Sequence, residues 1–159
     1  MAKTINKTNA IRILERAKVS FKPLYYDCDE FLDGVSIANR LNEPADTTFK
    51  TLVTIGKTKN HYVFVLPVDK ELDLKRAAAS VGEKSVEMIN VKDILSITGY
   101  IRGGCSPIGM KKQFTTVFDS SALKYDEIMF SGGKRGVQIK IKTADISKVI
   151  NCSFENIIF

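Results

Sequence analysis

Apolar positions in this chain follow two rhythms, one near 3.6 residues and one of 2, and the switches between them outline its elements. Ile11, Leu14 and Ala17 or Lys18 lie at helical spacing behind Thr8, a good cap, which predicts a first helix. Ser20 to Cys28 is extended and rich in Phe21, Leu24, Tyr25 and Tyr26, and Gly34 to Leu41 is a short helical pattern stopped by Pro44. Phe49 to Ile55 and Tyr62 to Val68 are β-branched, apolar runs joined by the turn Lys57-Thr58-Lys59-Asn60, a hairpin signature. Leu72 to Val81 predicts a helix capped by Asp69 or Asp73 and ended by Gly82. Val86 to Ile89 is a short strand, and Asn90-x-x-Asp93 opens a helix through Ile97 that Gly99 closes. Three strands follow, Phe114 to Phe118, Glu127 to Phe130 and Val137 to Lys142. Thr143 then caps a last helix to about Ile150, and Phe154 to Phe159 is a final extended piece.

Consecutive strands recur and no strict βαβ rhythm is kept, so the pattern predicts an α+β fold with a mixed or barrel-like sheet. With 159 residues and no linker, repeat or low-complexity tract, the chain reads as one domain, 1–159. A net charge of +6 and a pI near 9.2 favour polyanionic partners. No apolar run approaches the roughly 20 residues that span a bilayer. Met1 to Ala10 is polar and lacks the apolar stretch of a leader, so a cytoplasmic location is expected, with no membrane partner. Cys28, Cys105 and Cys152 are odd in number and contain no C-x-x-C pair, as in a reducing compartment. With His61 as the sole histidine, no metal site is expected.

The candidate chemistry begins at Gly103-Gly-Cys-Ser-Pro-Ile-Gly-Met-Lys-Lys112, where three glycines and a proline in seven positions specify backbone shape. Such a loop can aim N–H groups at a carbonyl or a phosphate while the lysines behind it hold an anion. Ser131-Gly-Gly-Lys-Arg-Gly136 repeats the recipe. One glycine loop is most simply a structural turn; two, each followed by two cations, point to a binding site for a polar, anionic ligand. A nucleotide-hydrolysing P-loop does not fit, since Met110-Lys111-Lys112 lacks its Lys-Ser/Thr step and a β-branched run follows instead of a helix. Cys105-Ser106 offers a nucleophile, but His61 opens an apolar strand and is a poor candidate for its base. Lys50 stands on the strand Phe49 to Ile55; it is either a solvent-facing alternate position or a cation at a pocket rim. Tyr25 and Tyr26 either pack or stack on a nucleobase.

Taken in order, Phe49-Lys50-Thr51-Leu52, the Gly103 loop with Lys111-Lys112, and Ser131 to Gly136 resemble the signature segments of the YbaK/ProX family. Leu74-Lys75-x-Ala77-Ala78, Val86-Glu87-Met88 and Thr98-Gly99-Tyr100 resemble the segments between them, so the likeness covers nearly the whole chain and is greatest to the YbaK (YbaK/EbsC) branch. The resemblance implies a mixed β-barrel-like sheet surrounded by helices, related to the editing insertion of prolyl-tRNA synthetase. It implies trans-editing, the cleavage of cysteine from mischarged Cys-tRNA(Pro), and also from Cys-tRNA(Cys). The substrate's own thiol would attack its ester, with no cofactor. A tRNA 3′ end is the implied partner, with prolyl-tRNA synthetase in a transient complex.

Carried over by position, Lys50, Gly103 and Gly104 would be the catalytic residues, the lysine on the terminal adenosine or its phosphate and the glycines on the scissile carbonyl. Tyr26, Thr51, Ser106, Pro107, Ser131 and Gly132 would contact substrate. Lys111, Lys112, Lys134 and Arg135 would meet tRNA phosphates. Asp33 and Gln138 depart from the family's pattern: Asp33 falls near a usually aromatic position, and Gln138 at a polar position that varies. Both bear on the amino acid accepted, leaving alanyl or seryl esters open. A non-catalytic module that binds an aminoacyl-tRNA end or a synthetase is the alternative class.

Overall fold

The structure is a computed structural model that describes residues 7–28 and 30–159. The first six positions of the polar N-terminal segment therefore lie outside the described residues. Helix α1 (Asn9–Arg16) is capped by Thr8, whose hydroxyl accepts from the Ile11 N–H, and it buries Ala10, Ile11 and Leu14. β1 (Phe21–Tyr25) leads to α2 (Gly34–Arg40), which Asp33 caps by accepting from the Ser36 N–H at 2.7 Å. β2 (Phe49–Gly56) and β3 (His61–Pro67) form the expected hairpin, with Lys59 at φ 75° in the turn. Helix α3 (Leu74–Ser80) takes Asp73 as its cap. β4 (Val86–Met88) is followed by a 3₁₀ turn at Val91–Asp93 and α4 (Ile94–Thr98), which ends on Gly99 at φ 86°. β5 (Thr115–Asp119), β6 (Glu127–Lys134), β7 (Val137–Lys142) and β8 (Cys152–Glu155) complete the chain.

Three sequence expectations are corrected. Asn90 makes no side-chain cap, and the segment behind it splits into a 3₁₀ turn and a short α-helix. Thr143 to Lys148 is 3₁₀ rather than α-helical: the Thr143 hydroxyl donates to the Tyr125 carbonyl across the fold, so it is not available to cap its own segment. Ser131 to Gly136 is largely strand. β6 runs through Lys134 with a bulge between Ser131 and Lys134, leaving Arg135-Gly136 as the turn. A glycine pair can be read as a loop from sequence, yet a strand takes it where a bulge lets the chain bend.

The strands form two sheets, β1-β7-β6 and β4-β2-β3-β5-β8. The second is mixed, since β3–β5 and β5–β8 are parallel while its other pairs are antiparallel. A bridge between Thr48 and Met129 stitches the start of β2 to β6 and gives the assembly its barrel-like closure. Central β3 shows why: its alternate residues serve two cores. Val63 and Val65 face the layer shared with Phe118, Phe130, Ile139 and α1. Tyr62 and Phe64 face Ala77 and Ala78 of α3, whose small side chains let that helix lie close to the sheet. Burying both faces makes this strand read as a continuous apolar run. No helix among the described residues is long and apolar enough to cross a membrane.

Candidate active site

The N-terminal half of β2, from Phe49 to Val53, runs along one wall of a cavity of about 580 Å³. Residues 31–35 and Ile37 line a second side, and Met88, Val91 and Ile94 an apolar third. Arg102, Gly103 and Cys105 of the glycine loop line it as well, as do Ser131 and Gln138 near the turn end of the β6–β7 hairpin. The hairpin register explains the meeting at that end: Ser131 pairs directly with Gln138. Of the residues singled out in the sequence, Asp33, Lys50, Thr51, Gly103, Cys105, Ser131 and Gln138 converge here.

Lys50 is half-buried, and its Nζ reaches the Val68 carbonyl at 3.5 Å. Burial lowers its pKa, opposed by the more distant charges of Glu71 and Asp69. It forms no ion pair among the described residues. A cation held this way has charge to spare for an anion. Two buried oxygens at the cavity, Thr51 Oγ1 and Gln138 Oε1, have no hydrogen-bond partner among the described residues. Gln138 is only 4% exposed, so its amide oxygen is deprived of water and calls for a donor from a ligand.

The glycine loop supplies donors, though not both of those expected. Gly103 takes φ 85°, and its N–H and that of Cys105 have no acceptor among the described residues. The Gly104 N–H is spent on the Ile101 carbonyl at 2.9 Å, and Gly104 itself lies off the cavity wall. Its role is steric: a Cβ there would sit 2.7 Å from Lys134 Cα and 2.9 Å from Arg135 N. Only a glycine lets the two glycine segments touch backbone to backbone. Ser106 and Pro107 are buried beneath the loop, with Ser106 Oγ accepting from the Ile108 N–H. Gly132 is likewise buried in β6, where its carbonyl accepts from the Thr8 hydroxyl. Tyr26 opens onto a separate concavity. These positions shape the site from behind or beside it.

Asp33 lines the cavity, but its carboxylate is engaged. Hydrogen bonds from Ser36, the backbone one foremost, hold its pKa below the usual carboxylate range. Among the cations, Lys134 and Lys112 are exposed, and Arg135 anchors its Nε on the Arg102 carbonyl at 2.8 Å. Lys111 donates to the Ser96 carbonyl and lays its stem across Gly99.

Arg102 and Phe31 went unnoticed in the sequence. Arg102 Cζ stands 4.1 Å from the centroid of the Phe31 ring, and Arg135 Cζ lies 5.8 Å from it on the same rim. The rule that picked the lysines after the glycine loop also finds Arg102, which directly precedes it. Phe31 sits in a stretch with no periodicity to place it.

The nucleophile reading loses ground here. Burial pushes the Cys105 thiol up to about 11, so it is protonated at neutral pH and weakly nucleophilic. His61 is edge-on to Phe114, with ring centroids 5.5 Å apart, and is absent from the cavity wall. Among the described residues no cluster of three or more His, Cys, Asp or Glu side chains is arranged to hold a metal. The cavity thus offers a cation, N–H donors and an amide oxygen unpaired among the described residues, in a largely apolar surround where the Asp33 carboxylate is engaged and the Cys105 thiol protonated.

Comparison with known proteins bears on the same surface. The aminoacyl-tRNA editing domain family matches residues 34–149, a span that includes most of the cavity. A protein of Enterococcus faecalis whose name proposes a Cys-tRNA(Pro)/Cys-tRNA(Cys) deacylase, EbsC, is 46% identical over 156 residues, covering 98% of this chain and 95% of its own. The multifunctional Ser/Thr-tRNA deacylase ProXp-y of Escherichia coli is 24% identical over 90 residues, 56% of this chain and 54% of its own. A solved structure described as a proposed trans-editing enzyme for prolyl tRNA synthetase superposes with a TM-score of 0.83 at 19% identity, covering 98% of this chain and 99% of that one.

Proposed function

The chain belongs to the aminoacyl-tRNA editing domain family, and from that premise we propose that it is a trans-editing deacylase that removes cysteine from mischarged Cys-tRNA(Pro). The observation that carries the reading is a cavity that brings Lys50, Gly103 and Gln138 together while the Cys105 thiol on its wall is held protonated and His61 lies off that wall. An aminoacyl ester is already activated, so positioning supplies much of the barrier reduction. Editing is the physical remedy where side chains of similar size are separated by only ~10–200-fold at a synthetic site.

In the proposed step the substrate's Sγ bonds to its own carbonyl carbon. The carbonyl oxygen becomes an oxyanion facing the N–H groups of Gly103 and Cys105, a donor type typically worth ~10²–10³ in rate. The ester C–O bond then breaks, the ribose oxygen leaves with the thiol proton, and the strained four-membered thiolactone opens in water to cysteine. Lys50 holds the terminal nucleotide's ribose or phosphate, with Thr51 beside it. Gln138 Oε1 accepts from the α-ammonium, and the apolar wall excludes water from the thiol. Lys134, Arg135, Arg102, Lys111 and Lys112 meet the phosphate backbone, contacts that give affinity with little sequence information.

The test is a panel of Cys-, Ala-, Ser- and Pro-tRNA(Pro), with S-methylcysteinyl-tRNA(Pro) to cap the attacking sulfur. Release of cysteine, with the S-methyl ester spared and Cys105→Ala retaining most activity, is the expected pattern. Cleavage of the S-methyl ester at the same rate would remove substrate assistance. Tight tRNA binding with no release from any ester would replace the enzyme by a binding module. Preferential release of serine would move the specificity toward that of the Escherichia coli relative's name.

A further inference from the structure

A second concavity, of about 500 Å³, lies beside the first and is lined by Tyr25, Tyr26, Asp27, Arg40 and Leu41. Helix α2 joins the two: Gly34 and Ile37 line the main cavity, and Arg40 at the other end lines this one. At 1.5 Å per residue, Arg40 lies roughly 5–9 Å further along the helix axis than those two residues. Tyr25 ends the edge strand β1, and the residue is 51% exposed. Neither an aromatic pair nor a cation–π contact covers its ring among the described residues. The Arg40 guanidinium is fixed by the Asp27 carbonyl at 2.7 Å and makes no ion pair among the described residues, so its remaining N–H groups stay available. Next door, the Tyr26 N–H donates to the Gly136 carbonyl, which fastens this concavity to the Arg135-Gly136 turn that follows Lys134.

An exposed aromatic face, a pinned guanidinium and a neighbouring line of cations match a nucleobase with its phosphate, since base stacking plus backbone charge is how single strands are held. From this juxtaposition we infer that the Tyr25–Arg40 concavity is a nucleotide subsite for the unpaired 3′ end of the RNA. It takes the base just 5′ of the terminal nucleoside that occupies the main cavity. The inference rests on the proposed function for the identity of the RNA, while its own content is a stacking contact outside the catalytic cavity.

Two readouts separate the claims. Fluorescence anisotropy measures binding of a labelled, uncharged tetranucleotide with the tRNA 3′-end sequence to wild type, Tyr25→Ala and Tyr25→Phe. Deacylation is compared on a cysteinyl-RNA minihelix and on cysteinyl-adenosine, which has no second base. Loss of one base stack corresponds to about a 5- to 150-fold weaker Kd for Tyr25→Ala, with Tyr25→Phe close to wild type. The KM penalty on the minihelix should exceed that on cysteinyl-adenosine by the same factor. Unchanged tetranucleotide affinity in Tyr25→Ala, or equal penalties on both esters, overturns the subsite. Weakened RNA binding in an enzyme that cleaves neither ester would uphold the subsite and remove the deacylase reading instead.

Discussion

In the proposed reading, Lys50 is costly to the fold and useful to the site. Its ammonium is half-buried without a carboxylate partner among the described residues, and burial depresses its pKa. The sign follows from linkage. Between the lowered folded value and the ordinary unfolded one, the unfolded chain binds more protons, so the destabilisation is full at neutral pH and is relieved as pH rises through that window. Lys50→Met should therefore leave Tm equal or higher at pH 7 in thermal denaturation. The same variant should lower kcat/KM on Cys-tRNA(Pro) by about 10- to 100-fold, the range expected for one charge-assisted contact. Because the contact needs the charged form, wild-type activity should decline at a lower alkaline pH than an ordinary lysine would set. A coincident fall in both Tm and activity would make Lys50 a structural residue. Gln138 and Thr51 would be its neutral counterparts, with buried oxygens at the cavity that have no partner among the described residues.

At the level of elements, the two glycine segments are one structural unit. The Gly103–Gly109 loop and the β6–β7 hairpin touch at Gly104, where neighbouring backbone atoms leave no room for a side chain. Nothing soft is available to move aside. Gly104→Ala should cost about 1–3 kcal/mol by overpacking, several degrees in Tm, with a larger proportional loss of activity because Gly103 and Arg102 shift with the loop. Full activity in Gly104→Ala would show that loop docking is not needed to set the donors. Local chemistry made the helix starts readable, since Thr8, Asp33 and Asp73 cap through hydrogen bonds two to three residues away. Thr143 misled because its hydroxyl is claimed by Tyr125, 18 residues earlier in sequence, a partner that no local pattern discloses.

Across the molecule, the net charge of +6 becomes functional through its placement. Arg102 lines the cavity, Arg135 sits beside it on Phe31 and Lys134 is the next residue along the chain, so an RNA substrate should be drawn and held there partly by counterion release. KM for Cys-tRNA(Pro) should rise steeply with salt while KM for cysteinyl-adenosine changes little. Replacing both Lys134 and Arg135 by alanine should reduce the log–log slope by roughly 1–2. Equal salt dependence for both esters would exclude rim contacts to the RNA body.

The sequence alone determined the α+β class, the hairpin, the capped helices, the two glycine segments and the suspicion that Lys50 mattered. Each of these is written in local periodicity, turn chemistry or a short motif. Tertiary structure decided which of those residues share a cavity. It placed Gln138 opposite Ser131 through the β6–β7 register, brought Phe31 under Arg102, spent the Gly104 N–H and moved Tyr26 to a neighbouring concavity. It also pushed the Cys105 thiol out of its reactive range by burial. Convergence, desolvation and the fate of each hydrogen-bond donor depend on residues distant in the chain, and that information exists only once the sheets have closed.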